Sequence, residues 1–353
     1  WYKNTPTDVT TPSTPTGLVA TPGSGQIVLT WTANSESDLH SYALYGGTSP
    51  NPTTLLLAIF AGNESYTRTG LTNGTTYYYR ISAVDNSSNE SSKTSDVSSL
   101  PHDINGSYSL SFDGSNDYVE ILNSTSLSLD GVSAFSVQIW IKNSEIWTSP
   151  RWSYILSKSD QTGGWGFSGG YIIRSGADGG APFGYNGILE TSAGEHAFSS
   201  SGTITANWEQ VIVVYNGSDV KLYRDGSLSG TKTGVSGTLS DYVGNMYFGS
   251  ANNGSTHFYD GLLDDIAIWN SELSSSEITS LYNSGLPLVA SSNSGNYTSS
   301  ANLKGYWRFN ENTGTTAYDL SGNGNHGTIN GATWSSDVPS ADATAPATPT
   351  NLV

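Results

Sequence analysis

Apolar and polar residues alternate with period two along most of the chain, in runs rich in β-branched and aromatic side chains. That pattern predicts an all-β protein. FSVQIWIK at 135–142 shows it plainly, with Phe135, Val137, Ile139 and Ile141 on one face of a strand. In TYYYRISAVD at 76–85 the shared face is Tyr77, Tyr79, Ile81 and Ala83. Clusters of Gly, Asn, Ser and Thr separate the runs as turns. VKLYRDGSL at 220–228 predicts a hairpin, because Asp225-Gly226 supplies the positive-φ positions of a two-residue turn. One segment changes to the helical period: SSSEITSLYNSG at 274–285. Ser274 and Glu277 are spaced there as a capping box, Ile278 and Leu281 share a face, and Gly285 is the expected stop.

A chain of 353 residues suits two or three domains. The first is expected over 12–101, with strands QIVLTW (26–31), SYALYGG (41–47), SYTRT (65–69) and TYYYRISAVD. Its Pro-rich entry, Trp31 and the stretch GLTNGTTYYYRISAVDNSSNES at 70–91 resemble a fibronectin type III domain. The resemblance implies a β-sandwich in which Leu71 and Tyr77 form a tyrosine corner. The second domain is expected over 104–338, with landmarks SYSLSFDGSNDYVEI (107–121), FSVQIWIK, YILSK (154–158), WEQVIVVYNGSDVKLYRDG (208–226), MYFGS (246–250) and YDGLLDDIAIWNSELSSSEITSLYN (259–283). Their order and spacing resemble a laminin G-like domain of the concanavalin A-like class, implying a jelly roll of two stacked antiparallel sheets. GYWRFNENTGTTAYDLSGNGNHGTINGATW at 305–334 departs from that pattern, since such a stretch commonly opens the domain and here comes last. Either it folds back in a circular permutation, or it completes the jelly roll of another copy. A tethered segment has the higher effective concentration, which favours the first.

DATAPATPTNLV at 342–353 matches DVTTPSTPTGLV at 8–19 in eight of twelve positions. Residues 1–11 are therefore expected to be a linker or the tail of a preceding repeat, and 339–353 a linker and the start of a further fibronectin-like domain. Thr/Pro linkers also match through composition alone. The net charge is -17, which argues against electrostatic binding of nucleic acid or anionic membrane and suits a protein that holds divalent cations. Cysteine is absent, so there is no disulfide framework or thiolate metal site, and no run of about 18 apolar residues suggests insertion in a membrane. The chain opens at Trp1 rather than Met, so export is an inference and a mature piece or fragment is expected.

Two constellations bear on chemistry. By strand parity Asp117 shares a face with Val119 and Ile121, and Asp264 with Ile266 and Ile268, both plausible core rows. A carboxylate there is costly unless paired or metal-bound. With few basic residues nearby in sequence, calcium is the expected partner, and laminin G-like domains often hold calcium at the rim. Asp113, Asn116 and Asp265 are secondary ligand candidates. The alternative is that these acids accept backbone hydrogen bonds in tight turns. DLSGNG at 319–324 lacks the bidentate Glu of a calcium loop, and a hairpin turn is the expected reading.

The second constellation is aromatic. Trp147 and Trp152 flank a Pro/Arg turn, and the glycine-rich stretch 163–187 carries Trp165, Tyr171, Phe183 and Tyr185. Exposed rings beside Asn and Asp grip sugars through the ring face, so Trp147, Trp152, Trp165, Tyr171 and Tyr185 are candidate glycan contacts; the alternative, commoner for any single ring, is that it fills the sandwich core. Trp31, Trp140, Trp208, Trp269 and Trp307 are assigned to packing. No Glu-x-Asp-x-x-Glu string of a hydrolytic jelly roll occurs, and the five histidines show no zinc spacing, so no enzyme is expected. The expected function is a non-catalytic repeat unit of an extracellular surface fibre or adhesin. Its calcium-stabilised jelly roll would bind glycans, and its other partners would be neighbouring repeats. The alternative is a set of carbohydrate-binding and spacer modules of a larger secreted polysaccharide hydrolase.

Overall fold

The computed structural model of the chain describes residues 8–101, 108–144, 152–159, 169–176, 184–251 and 254–340. The chain divides into two compact units, Trp1–Asn105 and Gly106–Val353. The alternating runs of the first unit become β1 (Thr16–Gly23), β2 (Gln26–Thr32), β3 (Leu39–Gly47), β4 (Leu55–Phe60), β5 (Ser65–Thr69), β6 (Tyr77–Asp85) and β7 (Val97–Ser99). They form a three-stranded sheet, β1-β2-β5, and a four-stranded sheet, β4-β3-β6-β7. Between the sheets lie Ile27, Leu29, Trp31, Tyr42, Leu44, Tyr79, Ile81 and Ala83, with Tyr77 at the margin of the same cluster. Trp31 meets Tyr42 edge to face at 5.3 Å, the geometry that aromatic quadrupoles favour. The Tyr77 hydroxyl accepts a hydrogen bond from the Thr72 backbone N–H at 3.2 Å. Residues 8–11, expected to be linker, belong to this unit: the carbonyls of Asp8 and Thr10 accept from the Asn89 amide.

The second unit begins with β8 (Ser109–Asp113), β9 (Tyr118–Ile121), β10 (Phe135–Asn143), β11 (Ser153–Ser159), β12 (Gly170–Gly176) and β13 (Gly184–Thr191). It continues through β14 (Gly194–Ser199), β15 (Glu209–Tyr215), β16 (Asp219–Arg224), β17 (Ser227–Thr233), β18 (Met246–Phe248) and β19 (Asp260–Trp269). Helix α1 (Ser275–Tyr282) follows, and then β20 (Leu303–Trp307), β21 (Thr316–Ala317), β22 (Gly327–Asn330) and β23 (Thr333–Ser335). Two eight-stranded sheets result. One runs β17-β16-β15-β10-β19-β8-β23 with β20 also on β19, and the other runs β14-β13-β12-β11-β18-β9-β22-β21. Phe135, Val137, Ile139 and Ile141 all enter the core between them, as their alternation predicts. The β16–β17 turn has Asp225 at φ 47° and Gly226 at φ 73°, the positive pair that a twisted hairpin requires.

The carboxy-terminal segment closes the jelly roll of its own chain. β22 pairs with β9 and β23 with β8, while β8 and β20 lie end to end along one edge of β19. Trp307, Phe309 and Ile329 join the core. The outer face of the β10/β19 sheet is covered in turn by α1 and residues 286–303, which bury Trp269, Ile278, Leu281, Tyr297 and Tyr306. Helix α1 starts on the expected capping box of Ser274 and Glu277. It ends earlier than Gly285, at Asn283, whose left-handed conformation (φ 47°) serves as the cap.

Candidate functional site

A row of aromatic and polar side chains lies on the outer face of the second sheet. Tyr154 on β11 pairs across the ladder with Arg174 on β12, which pairs with Asn186 on β13, so one row carries an aromatic, a guanidinium and an amide. Arg174 Nε donates to Asn186 Oδ1 at 2.6 Å, and the Asn186 amide donates to the Gly176 carbonyl. The guanidinium carbon lies 4.1 Å from the centre of the Trp152 ring, a cation–π stack that fixes the indole plane. Ile172 and Ala251 are buried beneath this row and Ile188 packs at its edge, and the ring of Tyr154 lies 5.0 Å from His257. The row exists because adjacent residues on β12 alternate faces and residues two apart share one: Tyr171 and Ile173 point into the core, Ile172 and Arg174 away from it.

The same parity corrects two expected glycan contacts. Tyr171 and Tyr185, expected as glycan contacts in the glycine-rich stretch, stand on β12 and β13 facing inward. Tyr171 packs on Phe135 at 5.3 Å. The Tyr185 hydroxyl donates to Glu209 Oε2 and accepts from the Asn143 amide, and burial with the Glu209 charge pushes it well above the usual phenol range. Neither ring face is available to a ligand. Trp152 is half-buried at the stack just described, whereas Trp147 and Trp165 lie outside the described residues. Arg174 was not anticipated; a lone basic residue at an alternate position of GYIIRSG is the signal that marks it.

The acids expected to share calcium are divided between two places. Asp260 is opposite Asp113 in the ladder, so Asp264 lies four residues further along β19, roughly 13 Å away. Asp264 also does not share a face with Ile266 and Ile268. A bulge at Asp265 (φ 42°) shifts the register, so Leu263, Ile266 and Ile268 face the core while Asp264 pairs with Trp140 on the other side. Asp264 and Asp265 do not fit a calcium site, because the positive charge is supplied by Arg308, whose Nε donates to Asp265 Oδ1 at 3.1 Å. Tyr306 donates to the same oxygen at 2.5 Å.

Asp113, Asn116 and Asp117 remain together in the β8–β9 turn. Asp117 Oδ2 accepts from the Asp113 N–H at 2.9 Å, and Asp113 Oδ1 accepts from the Ser115 N–H at 2.9 Å. Burial raises the Asp117 carboxyl, and the nearby Asp113 charge adds to the rise against that backbone bond. Gly331 approaches so closely that a Cβ there would lie 2.0 Å from Asp117 Oδ1. A carboxylate buried beside a second carboxylate fits a hard cation, with Asp113, Asn116 and Asp117 as the residues that would hold it. Asp319 of DLSGNG instead accepts from the backbone N–H groups of Tyr306, Ser321 and Asn325, as a turn residue.

Sequence inspection also missed a triad in the first unit. Asp8, Asp38 and Asp85 each place a carboxylate oxygen within 4.8 Å of the others. Their separation along the chain leaves no spacing signal. Asp85 is held by the Ser87 and Asn89 N–H groups and the Asn89 amide, bonds that outweigh burial and lower its carboxyl, so it is accounted for as a turn residue.

Residues 113–279 match the profile of the concanavalin A-like lectin/glucanases superfamily, and the larger unit is a concanavalin A-like jelly roll. An amylopullulanase of Thermoanaerobacterium saccharolyticum is 35% identical over 95 residues, 27% of this chain and 7% of the relative. Exoglucanase B of Cellulomonas fimi is 38% identical over 100 residues, 27% of this chain and 8% of the relative. The chain thus spans less than a tenth of the length of these curated relatives. Among solved structures, a Bacteroides ovatus protein named for carbohydrate binding, a role unproven for it, matches over 93% of this chain and 96% of its own. Its sequence identity is 16% and the TM-score 0.49. Among the described residues no helix is long and apolar enough to cross a membrane.

Proposed function

We propose that this chain is a non-catalytic, glycan-binding and spacing segment of an extracellular protein. A fibronectin type III-like domain precedes a jelly roll that holds a carbohydrate against the half-buried ring of Trp152, which the buried Arg174 and Asn186 hold in place. The observation that carries this is the stack of Trp152 on Arg174 beside Asn186. A partly exposed aromatic plane held at a fixed angle suits the C–H face of a pyranose, with Arg174 and Asn186, each 4% exposed, orienting the ring from within. The split into three- and four-stranded sheets and the Tyr77–Thr72 bond support the fibronectin-like assignment. A structural calcium ion at Asp113, Asn116 and Asp117 belongs to the same proposal.

Two settings accommodate such a segment. The matching stretches 8–19 and 342–353 favour one bead of a surface fibre or adhesin, with neighbouring repeats as partners. The names of the two relatives favour a module of a larger secreted polysaccharide hydrolase.

The test is a glycan array probed with the whole chain, in calcium, followed by titration of any ligand against Trp152→Ala and Arg174→Met. At least tenfold weaker binding by both variants, with unchanged near-UV circular dichroism, is expected. Undiminished binding moves the site elsewhere. An array without hits rejects the glycan function.

A further inference from the structure

The cover formed by α1 and residues 286–303 rests on one end of the β10/β19 sheet, over Ile212, Val214, Ala267 and Trp269. At the other end of the same outer face a row of side chains reaches solvent. Lys142 on β10 pairs with Leu262 on β19, Leu262 with Ser111 on β8, and Ser111 with Thr333 on β23. The first three are partly exposed and Thr333 fully so. Ile141 pairs with Glu209, so Trp208, immediately before β15, falls beside Lys142 and extends the row. From β15 to β23 the row crosses five strands, roughly 19 Å at the ordinary strand spacing. Sequence pattern assigns Trp208 to packing, yet among the described residues it joins no hydrophobic cluster of this unit. Its half-buried indole is held from the side instead. Trp208 Nε1 donates to Asp337 Oδ1 at 2.8 Å, and Lys142 Nζ donates to Asp337 Oδ2 at 2.5 Å. Asp337 is itself fixed: its carbonyl accepts from the Ser109 hydroxyl at 2.7 Å, and its N–H donates to Ser335 Oγ at 3.1 Å.

An indole whose plane is fixed beforehand loses little freedom when a ligand stacks on it. The groups that fix this one are also within a ligand's reach, because the side chains of Asp337 and Lys142 remain 44% and 31% exposed. An aromatic face followed by an acceptor, a donor, an apolar side chain and two hydroxyls suits the C–H faces and hydroxyls of a sugar chain. Lys142 is already paired with Asp337, and the net charge of -17 repels anions, so an acidic sugar is poorly served. We propose that this row is a second carbohydrate site, which takes a neutral polysaccharide laid across the strands with one pyranose stacked on Trp208. The inference rests on the glycan-binding reading of the chain but not on the Trp152 site, which belongs to the other sheet. Asp337 acts as a positioning residue for the indole and Lys142. Burial works to raise its carboxyl, but the bonds from Lys142 and Trp208 outweigh it and hold the group below the usual range, so it stays charged in neutral solution.

The experiment follows the indole N–H signals of the isotope-labelled whole chain by NMR during titration with maltohexaose, cellohexaose, xylohexaose and mannohexaose. Trp152→Phe and Trp208→Phe identify the two signals. At least one hexasaccharide is expected to shift the Trp208 signal saturably, in wild type and in Trp152→Ala alike. On the Trp152→Ala background, Trp208→Ala is expected to weaken binding at least tenfold with unchanged near-UV circular dichroism. Asp337→Ala, which frees the indole without removing it, is the second variant and is expected to weaken binding in the same direction. A Trp152 signal that responds beside a silent Trp208 signal overturns the second site and leaves the first standing. A Trp208 shift that vanishes in Trp152→Ala overturns it as a separate site, and no Trp208 shift with any hexasaccharide rejects it outright. Tighter binding of hexagalacturonate than of the neutral sugars would overturn the ligand class.

Discussion

Arg308 meets Asp265 across 43 residues of sequence, Nε to Oδ1, with both side chains under a tenth exposed. One partner sits on the bulge of β19 and the other just beyond β20, so the contact exists only when the carboxy-terminal segment has closed the sheet. Replacing Arg308 by Met is expected to cost about 3–5 kcal/mol in urea unfolding, because it strands a buried carboxylate. Asp265→Asn on that background should recover part of the loss. Strict additivity of the two changes would show that the pair is not coupled.

The closing segment supplies Trp307, Phe309 and Ile329 to the core and an edge to each sheet. Each such side chain contributes roughly 1.5–3 kcal/mol of burial. A chain ending at Asn302 is expected to lose the cooperative unfolding of the larger unit, while the first unit keeps its own transition. Adding a peptide of residues 303–340 should restore it, as read by Trp fluorescence.

Glu277 ties α1 to the residues that cover the sheet: Oε2 accepts from the Ser274 N–H, and Oε1 from the Thr298 N–H and the Ser299 hydroxyl. Burial works to raise this carboxyl, but the Ser299, Ser274 and Thr298 bonds outweigh it and hold it below the usual range. The stabilisation is therefore complete above the unfolded value, about 4.3, and disappears as the pH falls through the folded one. Glu277→Gln should cost about 1–3 kcal/mol at pH 7 and nothing near pH 2, measured by urea unfolding at both.

Calcium at the β8–β9 turn makes a separate prediction. Chelation is expected to lower the melting temperature of the larger unit, and Asp117→Asn to abolish that dependence. A melting temperature that excess chelator leaves unchanged removes the ion. Gly331→Ala is expected to cost at least about 1 kcal/mol with or without calcium, since φ is 79° there and the new methyl would meet Asp117.

Period-two alternation was enough to locate the strands and their inward rows, because a strand on a core has one geometry: Phe135 to Ile141 and Tyr79 to Ala83 face inward as written. The capping box and the Asp225-Gly226 turn were equally legible, both being local bonds between residues a few positions apart. Face assignment failed where alternation was interrupted. The bulge at Asp265 turned Asp264 away from the core, and the glycine-rich stretch concealed two strands that bury Tyr171 and Tyr185.

Sequence by itself determined an all-β chain, its cysteine-free acidic character, its helix and most of its core, since these follow from side-chain period, turn chemistry and composition. Tertiary structure decided that residues 303–335 close the sheets of their own chain, that Arg308 neutralises Asp265, and that Trp152, Arg174 and Asn186 meet. These are contacts between residues far apart in sequence or on adjacent strands, and only register and strand order bring them together.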